Sequence, residues 1–176
     1  MSLYVLFVKT GYENNVIREI TRFWNIEGNP FIPMYDAHFR KAGKIVVERR
    51  RCFPGYVFIE SEIGGLDFYV SVRSLVWRSE HVVKFLRSGG GEIKQQFSLE
   101  ESESNFLQKL LNSDRCVEMS KGFIEGSKVI ISEGPLRGLE GSIKKVNRHK
   151  KEAFVEVKLM GDFRVARVGL EVIEVL

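Results

Sequence analysis

The periodicity of the apolar residues changes partway along the chain, and that change restricts the possible folds more than any other feature. Up to residue 112, strand-like runs alternate with stretches at helical spacing, the arrangement of an α/β sandwich. Beyond Phe123 the helical spacing stops. KVIIS, GSIKKV, AFVEVKL, FRVARV and EVIEV follow as short runs with partial two-residue alternation, broken by EGPLRGLEG, NRHKKE and MGD. Five short strands in about fifty residues imply a small closed barrel, because pairing around a ring leaves no exposed edge. The expected class is α+β: an α/β sandwich domain over residues 1–112, a polar linker over 113–123 and a β-barrel over 124–176.

In the first part, LYVLFVK reads as a strand leading into Thr10-Gly-Tyr-Glu13, whose hydroxyl and carboxylate are spaced to cap a helix reciprocally. That helix groups Val16, Ile17, Ile20, Phe23 and Trp24 on one side and should stop near Gly28-Asn-Pro30. From Phe31 to Ser61 the pattern is strand-like, with Ala42-Gly43 as the turn of a hairpin. A second helix from Leu66 to Val76, a strand from Val82 to Leu86 and a glycine loop at Ser88-Gly-Gly-Gly91 come next. A third helix opens at Ser98, where Glu101 repeats the capping-box spacing, and buries Phe106, Leu107, Leu110 and Leu111.

Composition narrows the function. Hydrophobic residues at 44% and charged residues at 28% describe a globular chain, and no apolar stretch approaches the length that crosses a bilayer. The opening MSLYVLFVKTGYE lacks the marks of a secretory leader, so a cytoplasmic protein with no membrane partner is expected, and a monomer. Cys52 and Cys116 make no disulfide framework, and with His38, His81 and His149 they form neither a metal spacing nor a nucleophile-base set. Gly89-Gly-Gly91 before Glu92 lacks the Lys-Ser/Thr ending of a phosphate-gripping loop. No cofactor is implied and catalysis has no support. A net charge of +4 favours polyanions only if the cations cluster.

They do cluster. Arg40, Lys41, Lys44, Arg49, Arg50 and Arg51 crowd the hairpin against a single Glu48. Lys144, Lys145, Arg148, His149, Lys150 and Lys151 crowd GSIKKVNRHKKE, with Arg137 in the preceding loop and Arg164 and Arg167 on the following strand. Either set could reach phosphates, and either could be a solvated surface that discourages aggregation. Alternation sends Lys144 and Lys145 to opposite faces, so the loop cations are the better candidates. Arginine reads phosphates and guanine edges in fork geometry where lysine gives a less directional charge, so Arg137, Arg148, Arg164 and Arg167 would confer specificity.

Three segments carry a family resemblance. LYVLFVKTGYE looks like the opening strand and turn of the NusG N-terminal domain, although that family often has tryptophan where Leu3 stands. RRCFPGYVFIE is similar to the family's FPGYV segment, and the stretch from Phe123 to Val175 looks like a KOW domain. The basic stretches and the opening segment resemble the LoaP subfamily, which acts in processive antitermination, more than the housekeeping members. The resemblance implies a non-enzymatic transcription elongation and antitermination factor whose N-terminal domain binds the clamp helices of RNA polymerase's largest subunit. It places Leu3, Tyr4, Phe53, Pro54, Gly55 and Tyr56 at that contact. Pro54 and Gly55 would present Phe53 and Tyr56 as rigid aromatic anchors; by residue type alone both rings read as core. The hairpin would lie near nontemplate DNA, and the KOW domain would bind a leader RNA hairpin whose loops or bulges open it to side chains. The alternatives are a general NusG factor whose KOW domain binds Rho or a ribosomal protein, and a plain RNA-binding protein. The β-branched KOW runs argue for strands rather than a helical refolding.

Overall fold

In the computed structural model, residues 1–90 and 93–175 are described. Gly91, which closes the expected glycine loop, and Glu92 lie outside them. The chain forms two compact units from interleaved stretches. The first comprises Met1–Ile32, Pro54–Ser104 and Leu159–Asp162; the second comprises Pro33–Phe53, Asn105–Lys158 and Phe163–Leu176.

The first unit is built on a four-stranded sheet in the order β2 (Asn29–Phe31), β5 (Tyr56–Ser61), β1 (Ser2–Val8), β6 (Val82–Phe85). Even-numbered β1 residues Tyr4, Leu6 and Val8 point to one face, where they pack with Val57 and Ile59 against helix α1 (Glu13–Glu19) and helix α2 (Gly65–Arg78). Val16, Ile20, Phe68, Val72 and Leu75 supply the helical side of this core.

Two local readings differ from expectation. Glu13 does not exchange caps with Thr10; its carboxylate is buried and accepts hydrogen bonds from the backbone N–H of Gly11 (2.9 Å) and of Gly55 (2.8 Å). After α1 the chain widens into one π-helical turn, Ile20–Trp24. The extra residue swings Phe23 out of the apolar stripe, leaving it 76% exposed while Trp24 still packs on the core. The third helix, α3 (Glu101–Leu110), starts later than expected: Glu103, not Glu101, closes the cap by accepting from the Glu100 N–H at 2.9 Å.

The second unit holds the basic hairpin and most of the C-terminal strands. Strands β3 (Met34–Lys41) and β4 (Lys44–Arg51) pair in register around Ala42-Gly43, both in the left-handed region at φ 50° and 78°. Strand β9 (Cys116–Val117) adds to the other side of β3. The segment expected as a linker is therefore structured. Asn112 Oδ1 accepts from the N–H of Asp114 and of Cys116 (2.9 and 3.0 Å), and Cys116, Val117 and Ser120 are buried.

The C-terminal strands are β10 (Ser120–Glu125), β11 (Lys128–Glu133), β12 (Ile143–Asn147), β13 (Glu152–Leu159) and β14 (Asp162–Val175). They form one sheet in the order β11-β10-β14-β13-β12. Five strands were expected, but FRVARV and EVIEV are halves of the single 14-residue β14, and SKGFIE is the strand that replaces one of them. Gly169, between those halves, is a strand position where a Cβ would stand 2.6 Å from the Asp36 carbonyl oxygen.

Candidate nucleic-acid interface

The expected aromatic grip proves to be mainly interior. Tyr4 is 0% exposed, stacks on Phe68 with ring centroids 3.8 Å apart, and donates its hydroxyl to the Ile63 carbonyl at 2.6 Å. Phe53 is 3% exposed. Both are corrected: neither ring is on the surface to meet a partner. The reason is that Tyr4 lies on the core face of β1, and that a ring beside a strand gains more from burial than from water. Leu3 is half-buried and Pro54 is exposed. Gly55 is buried at φ 87°, with its N–H on Glu13 and its carbonyl accepting from Val8 N–H at 2.8 Å. Tyr56 is half-buried against Phe7, centroids 5.2 Å apart, on the sheet face away from the helices.

The basic residues sort differently. Several are neutralised on the spot. Arg49 pairs with Asp36 and Asp114 at 3.6 Å each, Lys144 with Glu156 at 3.3 Å, and Lys151 with Glu171 at 2.5 Å. That last contact holds the Glu171 carboxyl below its ordinary range, and the Lys151 carbonyl also accepts from the Leu170 N–H. Lys151 is thus a strut of the turn after β12. Lys145 and Arg167 both lie over the Phe154 ring, at 5.9 and 5.8 Å. Arg51 and Arg164 are half-buried, and Arg164 shares the inward alternation of Ala166 and Val168, opposite Arg167.

Arg40, Lys41, Lys44, Arg137, Arg148, His149 and Lys150 remain exposed, with no side-chain ion pair among the described residues. Lys41 and Lys44 face each other at the hairpin end. Arg137 sits in the β11–β12 loop and does not line the cleft described next.

The second unit brings the two basic segments together. A cleft of about 360 Å³ runs between the hairpin, through Arg40, Ile45 and Arg50, and the β12–β13 turn, through His149, Lys150 and Lys151. On the same strand as Ala37 and Phe39, Tyr35 donates its hydroxyl to buried Glu152 at 2.8 Å, and burial pushes its ionisation up to about 12. Arg50 Nη1 stands 4.0 Å from the same carboxylate, and its Nε and Nη2 both reach Glu48 Oε2 at 2.9 Å. Chain distance hid this convergence, since roughly a hundred residues separate the segments. The parallel pairing of β3 with β9 could not be read from two residues of strand.

No helix among the described residues is long and apolar enough to cross a membrane.

The comparisons with known proteins agree with this architecture. The family described as "Transcription termination factor nusG" matches residues 1–108, and "KOW motif" matches residues 125–158. The "Transcription termination/antitermination protein NusG" of Treponema pallidum is 33% identical over 137 residues, 77% of this chain and 72% of its own length. The proteins of the same name from Pasteurella multocida and Bacillus subtilis are 28% and 27% identical, across 96% and 90% of this chain and 90% and 89% of theirs. These relatives are named for transcription control and not for a catalysed reaction. With the family match covering more than half the chain, this protein belongs to the NusG family.

Proposed function

We propose that this chain is a transcription termination/antitermination factor of the specialised LoaP kind. It docks on the clamp helices of RNA polymerase's largest subunit and captures a structured RNA hairpin in the leader of the transcript. The observation that carries the reading is the cleft in which exposed cations of two distant segments, Arg40 and Lys150, neither in an ion pair among the described residues, line one opening. Like charges left together without carboxylate partners repel each other, and a polyanion relieves that repulsion. Family membership supports the polymerase half. Its surface is redrawn around Leu3, Phe7, Pro54 and Tyr56, with Glu13 and Gly55 as the support that fixes the turn. Tethering then lets a modest RNA affinity recruit the factor selectively, and a held clamp shifts the elongation complex away from paused states. Nontemplate DNA is a second ligand within reach of Lys41 and Lys44 at the hairpin tip.

A second reading, that the C-terminal sheet binds Rho or a ribosomal protein as a general factor would, is favoured by Phe163 and Val165. Both are on β14 and stand 67% and 54% exposed. Single-round transcription with purified polymerase on templates with and without the leader hairpin separates the two. Shorter pauses that require the hairpin support the RNA reading. Pause lifetimes indifferent to protein, or shortened equally on both templates, reject it.

A further inference from the structure

The cleft has one wall that charge alone does not explain. The Arg50 guanidinium carbon stands 5.6 Å from the Phe39 ring centroid, and Glu48 holds two of its nitrogens. Held in this way, the guanidinium keeps a fixed plane while its side chain stays 47% exposed. Exposed Ile45 lines the cleft too, five residues along the same strand, as do Arg40 and Lys150, which have no ion pair among the described residues. All of these belong to the second unit.

We infer that this cleft is a pocket for one unpaired nucleotide of an RNA strand, with the base stacked on the Arg50 guanidinium and the flanking phosphates taken by Arg40 and Lys150. The inference rests on the RNA reading above and adds to it the state of the nucleic acid that is read. A pocket that needed charge only would gain nothing from fixing Arg50, whose positive charge Glu48 largely offsets. What the clamp preserves is geometry. A fixed guanidinium stacks a base at little entropic cost, and bases can be offered in this way by loops and bulges but not by a continuous A-form helix. At about 360 Å³ the cleft suits a ligand of nucleotide size. It also follows that the site is composite: the β12–β13 turn supplies only part of it.

The test uses the full chain and three fluorescein-labelled RNA probes: a ten-nucleotide adenosine strand, a blunt duplex, and a hairpin with an adenosine loop. Anisotropy titrations should show the strand and the looped hairpin bound more tightly than the duplex. Arg50→Lys keeps the charge and removes the plane. It should weaken the strand and the loop by about tenfold, the scale of one lost base stack, and leave the duplex unchanged. Phe39→Leu, which removes the support of that plane, should act in the same direction. Equal binding of strand and duplex by the wild type, or Arg50→Lys binding all probes as the wild type does with an unchanged melting temperature, overturns the pocket while leaving RNA binding in place. Failure of the wild type to bind any probe overturns the RNA reading itself.

Discussion

The Phe53–Tyr56 turn and the basic cleft both carry a dense local signal in sequence, yet the folded chain treats them in opposite ways. It buries Phe53 and Gly55, the latter tied to Glu13, while Pro54 stays exposed, and it leaves the cleft's Arg40 and Lys150 in solvent. The difference follows from what each residue type can do without a partner. An aromatic ring gains roughly 2–3 kcal/mol by burial wherever a core is within reach, so its presence in a motif does not say which way it faces. A cation cannot be buried unpaired, so a run of cations stays outside unless carboxylates meet it. Of those that meet them, Arg49 and Lys144 lie outside the cleft lining, while Arg50 and Lys151 remain in it as fixed parts of the wall.

Substitutions should separate the regions, one through stability and the other through binding. Phe53→Ala should destabilise the fold by about 3–5 kcal/mol in urea unfolding, the cost of emptying a core position. A value below about 1 kcal/mol would return that ring to the surface. Glu13→Ala strands two backbone N–H donors and should cost about 3 kcal/mol, with Gly55 amide exchange accelerated as the local readout. Arg40→Gln and Lys150→Gln together should change stability by no more than about 0.5 kcal/mol, because both side chains are exposed and have no ion pair among the described residues.

Acid sharpens the contrast within the cleft. Glu171 titrates below its ordinary value because Lys151 hydrogen-bonds it, so the pair adds stability above that value and loses it as pH falls. Comparing wild type with Glu171→Gln from pH 7 to pH 3 should show a small difference near neutrality that shrinks as pH falls below the ordinary carboxylate range. The smallest effect concerns the thiols. Burial holds Cys52 well above its ordinary value, and burial with the Asp36 hydrogen bond takes Cys116 to about 11. Both should resist iodoacetamide at pH 8 until the chain unfolds.

The elements were legible wherever periodicity decided them. The first strand, the hairpin with its Ala42-Gly43 turn, the second helix and the strand-rich C-terminal part all follow from local pattern. The misreadings share one cause, which is a tertiary partner overriding a local signal. Glu13 leaves its own helix cap to hold Gly55, and Asn112 orders the polar stretch that was expected to be a linker. The π-turn that exposes Phe23 needs one residue more than a helical stripe provides, and nothing in ITRFW marks it. The basic residues were all visible, but their sorting into struts and free charges depends on carboxylates as distant as Asp114 is from Arg49.

The most direct test of the cleft as the RNA-binding surface is the salt dependence of leader-hairpin binding by wild type and by the Arg40→Gln/Lys150→Gln chain. Anisotropy is followed between about 50 and 200 mM potassium chloride. Loss of two phosphate contacts should lower the log-log slope by about 1.5 and weaken binding at every salt concentration. An unchanged slope and affinity in a folded double variant would contradict the account.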